Sequence, residues 1–389
     1  MMVNSRFFSL FKYLIFGVIA LAVLQTPLKV YFSNKGGWDH HIYCEAIKVS
    51  DKGLDPYITA NLGSELSFTY PAIFLEAYRP FCVGGPKAYL IFHFAILLFI
   101  SFVLIRKLKW DPYLTITWLF LGYNAAFSNY NTGNIGIFEA LFFVLFLWCF
   151  KARNYQGGIL WLSPSAFVKV VPSLMAIPAI LLAGDTVKQK VKAFFVFVTG
   201  VLSLVVINFF YSQELFYSFF RQILGKYSNQ HSPINEIESN ASNITILLFF
   251  KNLSEKLLND FWIAGALFFL ILLAYLSYFV WKSVIKTERD KIVQLCWSYL
   301  LLMLWLPRLK PYSLLIVCIV MIPILKKLGR RTATLLLLTT IFHRSLNGDK
   351  SDPWIDFFMN NSAVYAYIGI LIYLVIRLRN RTDHVNGKE

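Results

Sequence analysis

The sequence predicts an all-α integral membrane protein, a polytopic bundle of about twelve transmembrane spans. Three observations carry that expectation. Of 389 residues, 57% are hydrophobic and only 15% charged, and the mean hydropathy is +0.58, more apolar matter than a soluble core can enclose. Apolar stretches near bilayer-crossing length recur along the chain, separated by polar or basic punctuation. The charge is also unevenly placed. With the N terminus inside, alternate segments hold 22 of the 37 Lys and Arg against six of the 21 Asp and Glu, which reproduces the whole net charge of +16. The opposite segments are neutral in sum, so the basic balance reports topology and anionic lipid and gives no support to nucleic-acid binding.

Taken in order, the first apolar run is Phe11 to Val30, behind a basic N-terminal segment. It is long, and "LQTPLKVYF" offers no small-residue cleavage site, so an uncleaved span is preferred over a secretory signal. Ala88 to Ile105 follows, then a tight hairpin of Leu114 to Phe127 and Ile135 to Phe150. Gly157 to Ala183 is interrupted by Pro164, Pro172 and Pro178 and reads as two short spans meeting at Lys169, because neighbouring helices satisfy the freed backbone groups. The remaining spans are Ala193 to Phe210, Ile263 to Trp281, Val293 to Leu306, Leu314 to Leu325, Ala333 to Phe342 and Ala363 to Ile376. This order puts both termini in the cytoplasm, and a bacterial plasma (inner) membrane is the expected location. Three long segments then face outward, 31–86, 211–260 and 343–361, on one continuous membrane domain. Long outer loops suit an enzyme whose lipid-linked substrate presents its head at the membrane surface; a transporter concentrates polar groups at the midplane.

The five cysteines, Cys44, Cys82, Cys149, Cys296 and Cys318, show no metal-ligand spacing. Cys44 and Cys82 both fall in the first outer segment and are able to pair, but free apolar thiols are the preferred reading. No metal site is strongly indicated, and neither a metal nor another cofactor is expected.

The first outer segment contains "GGWDHHIYCEA", then "KGLDPY" and "FTYPAIF". Later come "NYNTGNIGIFEA", "SPSAFVKVVPSL" and "WLPRLKPYSLLI". In this order the stretches resemble the polyprenyl-phosphate-sugar-dependent mannosyltransferases of the GT-C superfold, the family related to the α-mannosyltransferase of phosphatidylinositol mannoside synthesis. Asp39, Tyr43, Ala46, Gly53, Asp55, Pro56, Tyr57, Tyr70 and Pro71 fall on its first-loop pattern. Gly133, Asn134, Gly157, Lys169 and Pro172 fall on its hairpin and following break, and Pro307, Arg308, Lys310 and Tyr312 on its late segment. Asn134 stands where the family usually has glutamine. The resemblance implies a GT-C helical bundle that moves a hexose, mannose first, from a polyprenyl-phosphate sugar to a glycolipid or glycan hydroxyl at the outer face.

Such a transfer needs a carboxylate to take the acceptor's proton and cations to stabilise the departing phosphate. Asp39 fits the first role, with Glu45 in reserve and Asp55 read as a turn former before proline. Lys169, Arg308 and Lys310 fit the second; for Lys169, an amine within an apolar stretch, pairing with Glu139 is an equal alternative. His40, His41, Tyr43, Tyr57, Tyr70, Asn134 and Tyr312 complete the expected substrate contacts, of which at most one histidine faces the site and most tyrosines also suit an interfacial belt. The competing class is a flippase or transporter of lipid-linked sugars, which predicts paired broken helices in two matching halves; one break is evident. A polysaccharide polymerase or ligase would lead with outer-loop arginines, and Arg221 and Arg344 are sparse.

Overall fold

Several helices begin at a side-chain cap that the sequence supplies. Asp111 accepts from Leu114 N at 3.0 Å, Asp290 from Ile292 N at 2.9 Å, and Thr186 and Gln189 form a reciprocal capping box. The structure is a computed structural model and describes residues 37–63, 67–168, 170–224, 262–305, 313–341 and 368–374, with a few single positions besides. Among the described residues the regular structure is helical, without strands.

In chain order the helices are α1 Trp38–Asp51, α2 Ile73–Val83, α3 Gly85–Phe102, α4 Pro112–Leu121, α5 Ala125–Thr132, α6 Gly136–Lys151, α7 Tyr155–Leu160, α8 Ser163–Val168, α9 Val170–Ser173, α10 Ala176–Leu182, α11 Val187–Tyr211, α12 Gln213–Ile223, α13 Trp262–Val280, α14 Lys291–Leu304, α15 Leu314–Lys326 and α16 Arg330–Ile341. A π turn extends α3 to Lys107. Among the described residues two helices are long and apolar enough to cross a bilayer, Gly85–Lys107 and Val187–Tyr211. Shorter apolar helices are Pro112–Leu121, Leu267–Val280, Lys291–Leu304 and Leu314–Lys326.

The two kinds of apolar helix sit differently. α15 is hydrophobic all round, and every residue from Leu314 to Leu325 is buried where it packs among α4, α6, α14 and α16. α11 buries a single stripe, Ala193, Gly200 and Asn208, and leaves Phe194, Phe195, Leu202, Ile207 and Phe210 exposed. A β-carbon on Gly200 would stand 2.4 Å from Ser163 Oγ, so the absence of a side chain sets how closely α11 and α8 approach. A helix greasy on its outer faces suits contact with lipid, which supports membrane association of the chain.

Among the described residues, several ion pairs join residues of one end. Asp111 meets Arg330 at 2.8 Å, Asp185 meets Lys291 at 3.2 Å, Asp290 meets Lys151 at 3.8 Å, and Glu288 meets Lys327. Asp51 and Glu76 share Arg79, each at 2.8 Å, and Glu45 takes Lys48 at 2.6 Å. The first four pairs lie wholly within the segments assigned inward by charge, and the last three wholly within the first outer segment.

Three sequence expectations are corrected. The span expected over Leu114 to Phe127 is broken: α4 ends at Leu121, the carbonyl of the next residue, Gly122, accepts from Cys318 Sγ at 3.2 Å, and Tyr123 adopts a left-handed φ of 51° before α5. Within Gly157 to Ala183 the described helices are short and interrupted by turns at Trp161–Leu162 and Leu174–Met175, while Pro164, Pro172 and Pro178, expected to break the run, lie inside α8, α9 and α10. Cys44 and Cys82, read as free thiols, form a disulfide with Cα atoms 5.4 Å apart, because α1 and α2 pack side by side and bring two residues 38 apart in sequence within bonding range.

Candidate functional site

Two glycines allow the site to form. Gly37, the residue before α1, lies against the backbone at the end of α5; a β-carbon there would stand 2.1 Å from the carbonyl carbon of Thr132. Gly133, at a φ of +72°, ends α5 and faces α1 directly, where a β-carbon would stand 2.6 Å from His40 Cβ. The first turn of α1 is thereby seated on the turn between α5 and α6.

That seating joins Asp39 to Asn134. Asn134 is buried, its Oδ1 accepts from Gly136 N at 2.9 Å, and its Nδ2 donates to Asp39 Oδ2 at 2.8 Å. The Gly136 bond fixes which end of the amide faces the carboxylate. Asp39 is half-buried, at the start of a helix whose first-turn N–H groups favour a negative charge. Trp38 beside it is 54% exposed.

His40 turns the other way. It is buried, with Nδ1 3.0 Å from the Tyr78 hydroxyl and its ring 4.3 Å from that of Tyr89. Burial, and then the charge of His41, lower its pKa to about 4, so it stands neutral at ordinary pH. The expected substrate contact by His40 gives way to a packing role, while His41, one step round the helix, is exposed. Tyr43, Tyr57 and Tyr70 are likewise packed away, since all three rings fill the hydrophobic cluster that joins α1 to the chain around Phe68. Tyr43 donates to the Tyr70 hydroxyl at 3.2 Å, and Tyr57 donates to the Tyr70 carbonyl at 2.8 Å. Burial raises the pKa of both Tyr43 and Tyr57, so these phenols stay protonated, and no open ring face remains for a sugar. Asp55 accepts from Tyr57 N at 2.8 Å, the turn-forming bond expected of it. Glu45 is taken up by Lys48 on the helix surface. Glu139 is buried near the start of α6. Lys169, Arg308, Lys310 and Tyr312 lie outside the described residues.

Beside this pair opens an apolar cavity of about 210 Å³ between α2, α6, α8 and α11. Phe74, Phe81, Phe138 and Phe167 line it, and so do Tyr78, the partner of His40, and Ile135, the neighbour of Asn134. Asn208 of α11 accepts from Ile73 N at 3.0 Å, and Tyr211 donates to Glu76 at 2.9 Å, tying α2 to the end of α11 above that cavity. The Arg79 guanidinium, with the Tyr211 hydroxyl, holds the Glu76 carboxyl down at about 2. Reading residues alone missed the contributions of Gly37, Tyr78 and Tyr89; the doubled glycine before Trp38 was the one signal available for the first of them.

A carboxylate held by a buried amide, with the next residue, Ile135, lining an apolar cavity, belongs to an all-helical protein whose apolar helices suggest membrane association. A sequence model of Glycosyltransferase family 87 matches residues 68–307, most of the chain, and the chain belongs to that family. It is therefore a glycosyltransferase. The matched interval takes in Tyr70, Asn134 and Lys169, begins after Asp39 and ends just before Arg308. No curated protein matches the chain.

Proposed function

We propose that the chain is a polyprenyl-phosphate-sugar-dependent hexosyltransferase of GT-C type that moves mannose, with inversion, to the hydroxyl of a membrane glycolipid or glycan. The observation that carries this reading is the Asp39–Asn134 pair beside the aromatic-lined cavity: a base, and next to it a place for the first part of a prenyl chain. Asp39 takes the acceptor's proton as its oxygen attacks the anomeric carbon from the side opposite the phosphate. The bond between that carbon and the phosphate oxygen breaks, and the polyprenyl phosphate leaves with the electron pair. Lys169, Arg308 and Lys310 hold that phosphate, and Trp38 stacks on a sugar face. The reaction needs no metal in this scheme, because the cations come from side chains.

About twelve spans place this site at the exoplasmic face of a plasma membrane, with both termini inside. The Cys44–Cys82 disulfide supports that orientation, since disulfides form and persist in oxidising compartments, and the segregation of the ion pairs agrees with it. Membership of a glycosyltransferase family favours transfer over the flippase alternative.

The test is sugar transfer from radiolabelled polyprenyl-phosphate mannose to endogenous lipid acceptors, in membranes holding equal amounts of wild type or Asp39→Asn. Transfer in the first and its loss in the second is expected. Transfer surviving in the variant would remove Asp39 from the base's role and promote Glu45; no transfer from any prenyl-phosphate sugar would overturn the donor assignment.

A further inference from the structure

We infer that the polar cavity between the C-terminal end of α1 and α12 binds the uncharged, hydroxyl-rich headgroup of a membrane glycolipid. Its role as the acceptor's subsite rests on the transfer reading above; the binding itself does not.

The cavity holds about 430 Å³, within the range of small-molecule sites. Ser50, Asp55, Ser212, Glu214, Ser218 and Arg221 line it. Carboxylates and serine oxygens accept from hydroxyls while the guanidinium donates to them, the mixture that a polyol satisfies from both directions. Two carboxylates against one guanidinium repel an anionic headgroup. Among the described residues no group of three or more His, Cys, Asp or Glu is placed to hold a metal ion, so the carboxylates are not explained as a cation cage.

The helix that carries half of this lining also fixes where the cavity sits. α12 starts one residue after the lipid-facing α11, with Ser212 capping it by accepting from Leu215 N at 3.3 Å. Glu214, Ser218 and Arg221, spaced by four and three, face the cavity; Tyr217, Phe220 and Leu224, spaced by three and four, are exposed on another side. A helix divided this way at the end of a span lies in the plane of the interface with its apolar side toward the acyl chains. The cavity then stands at headgroup depth. Along α1, Ser50 is roughly 16 Å from Asp39, a separation that the headgroup of a glycolipid bridges.

The experiment uses the full chain in phosphatidylcholine nanodiscs, because a glycoside detergent would itself compete. Saturation-transfer NMR reads binding of methyl α-glycosides of mannose, glucose and galactose and of a methyl α-dimannoside to wild type, to Glu214→Gln/Arg221→Ala and to Asp39→Asn. The two substituted cavity residues are exposed, so folding is retained, and a monodisperse gel-filtration profile verifies it. The expected result is saturation transfer in wild type and in Asp39→Asn, with affinity about tenfold weaker in the double variant. No saturation transfer to any of these glycosides, or equal affinity in wild type and the double variant, would overturn the inference. Binding lost only in Asp39→Asn would also overturn it, by placing the sugar at the base. Binding at α12 in a protein that transfers nothing would sustain the site while the transfer reading fails. Transfer that proceeds with the acceptor KM unmoved in the double variant would sustain the transfer reading and overturn the cavity's role as the acceptor's subsite.

Discussion

Replacing Gly133 by alanine tests the contact on which the site depends. The new β-carbon meets two costs. At a φ of +72° an L-residue sits in the left-handed region, which costs about 1–2 kcal/mol. It also stands 2.6 Å from His40 Cβ and 3.1 Å from His40 N, and neither atom is the free end of a flexible side chain, so α1 itself must move at a further overpacking cost of about 1–3 kcal/mol. The sum, about 2–5 kcal/mol, is a large share of the stability of an ordinary domain. Gly63→Ala separates the two costs, since Gly63 has a φ of +58° and its β-carbon meets no described atom within 4 Å. The assay is the fraction of purified protein remaining monodisperse after heating, read beside sugar transfer at equal abundance. Gly63→Ala should lower the midpoint modestly and keep transfer; Gly133→Ala should lower it further and lose transfer, because displacing α1 breaks the 2.8 Å bond between Asp39 and Asn134. Equal behaviour of the two variants would refute the argument that the seating of α1 on Gly133 builds the site.

Other outcomes follow from the same geometry. Asn134→Asp places a second carboxylate against Asp39, and like charges at that range raise one of the two pKa values, so the acidic limb of the pH–rate profile should move toward higher pH; an unmoved limb would remove Asn134 as a partner of the base. Removing the Cys44–Cys82 link by Cys82→Ala, or by reductant, frees a loop of 38 residues and should cost about 4 kcal/mol, read as a lower heating midpoint that the Cys44→Ala/Cys82→Ala pair does not lower further. The lowered pKa of His40 means that the unfolded chain binds the extra proton between pH 6.5 and about 4, so stability should fall as pH drops through that window, by about 3 kcal/mol. His40→Gln should flatten that part of the midpoint-against-pH curve, and an unchanged slope would assign it to other groups.

Composition and hydropathy were enough to determine the helical, membrane-associated class, because the chain holds more apolar surface than it can bury against itself, and α11 shows the surplus directly. Asp39 and Asn134 each stood out in a short polar motif bordered by apolar runs. Their contact did not. They stand 95 residues apart, and what joins them is the close approach of backbones at Gly37 and Gly133, a steric condition that no residue type announces. The same holds for the tyrosines. Tyr43, Tyr57 and Tyr70 look alike in sequence whether they face a sugar or a core, and only the folding of the chain around Phe68 onto α1 decided for the core. The disulfide depended on α1 and α2 lying side by side. Patterns along a chain report which surfaces must leave water; which two of them meet depends on shape, and shape exists only once the helices have packed.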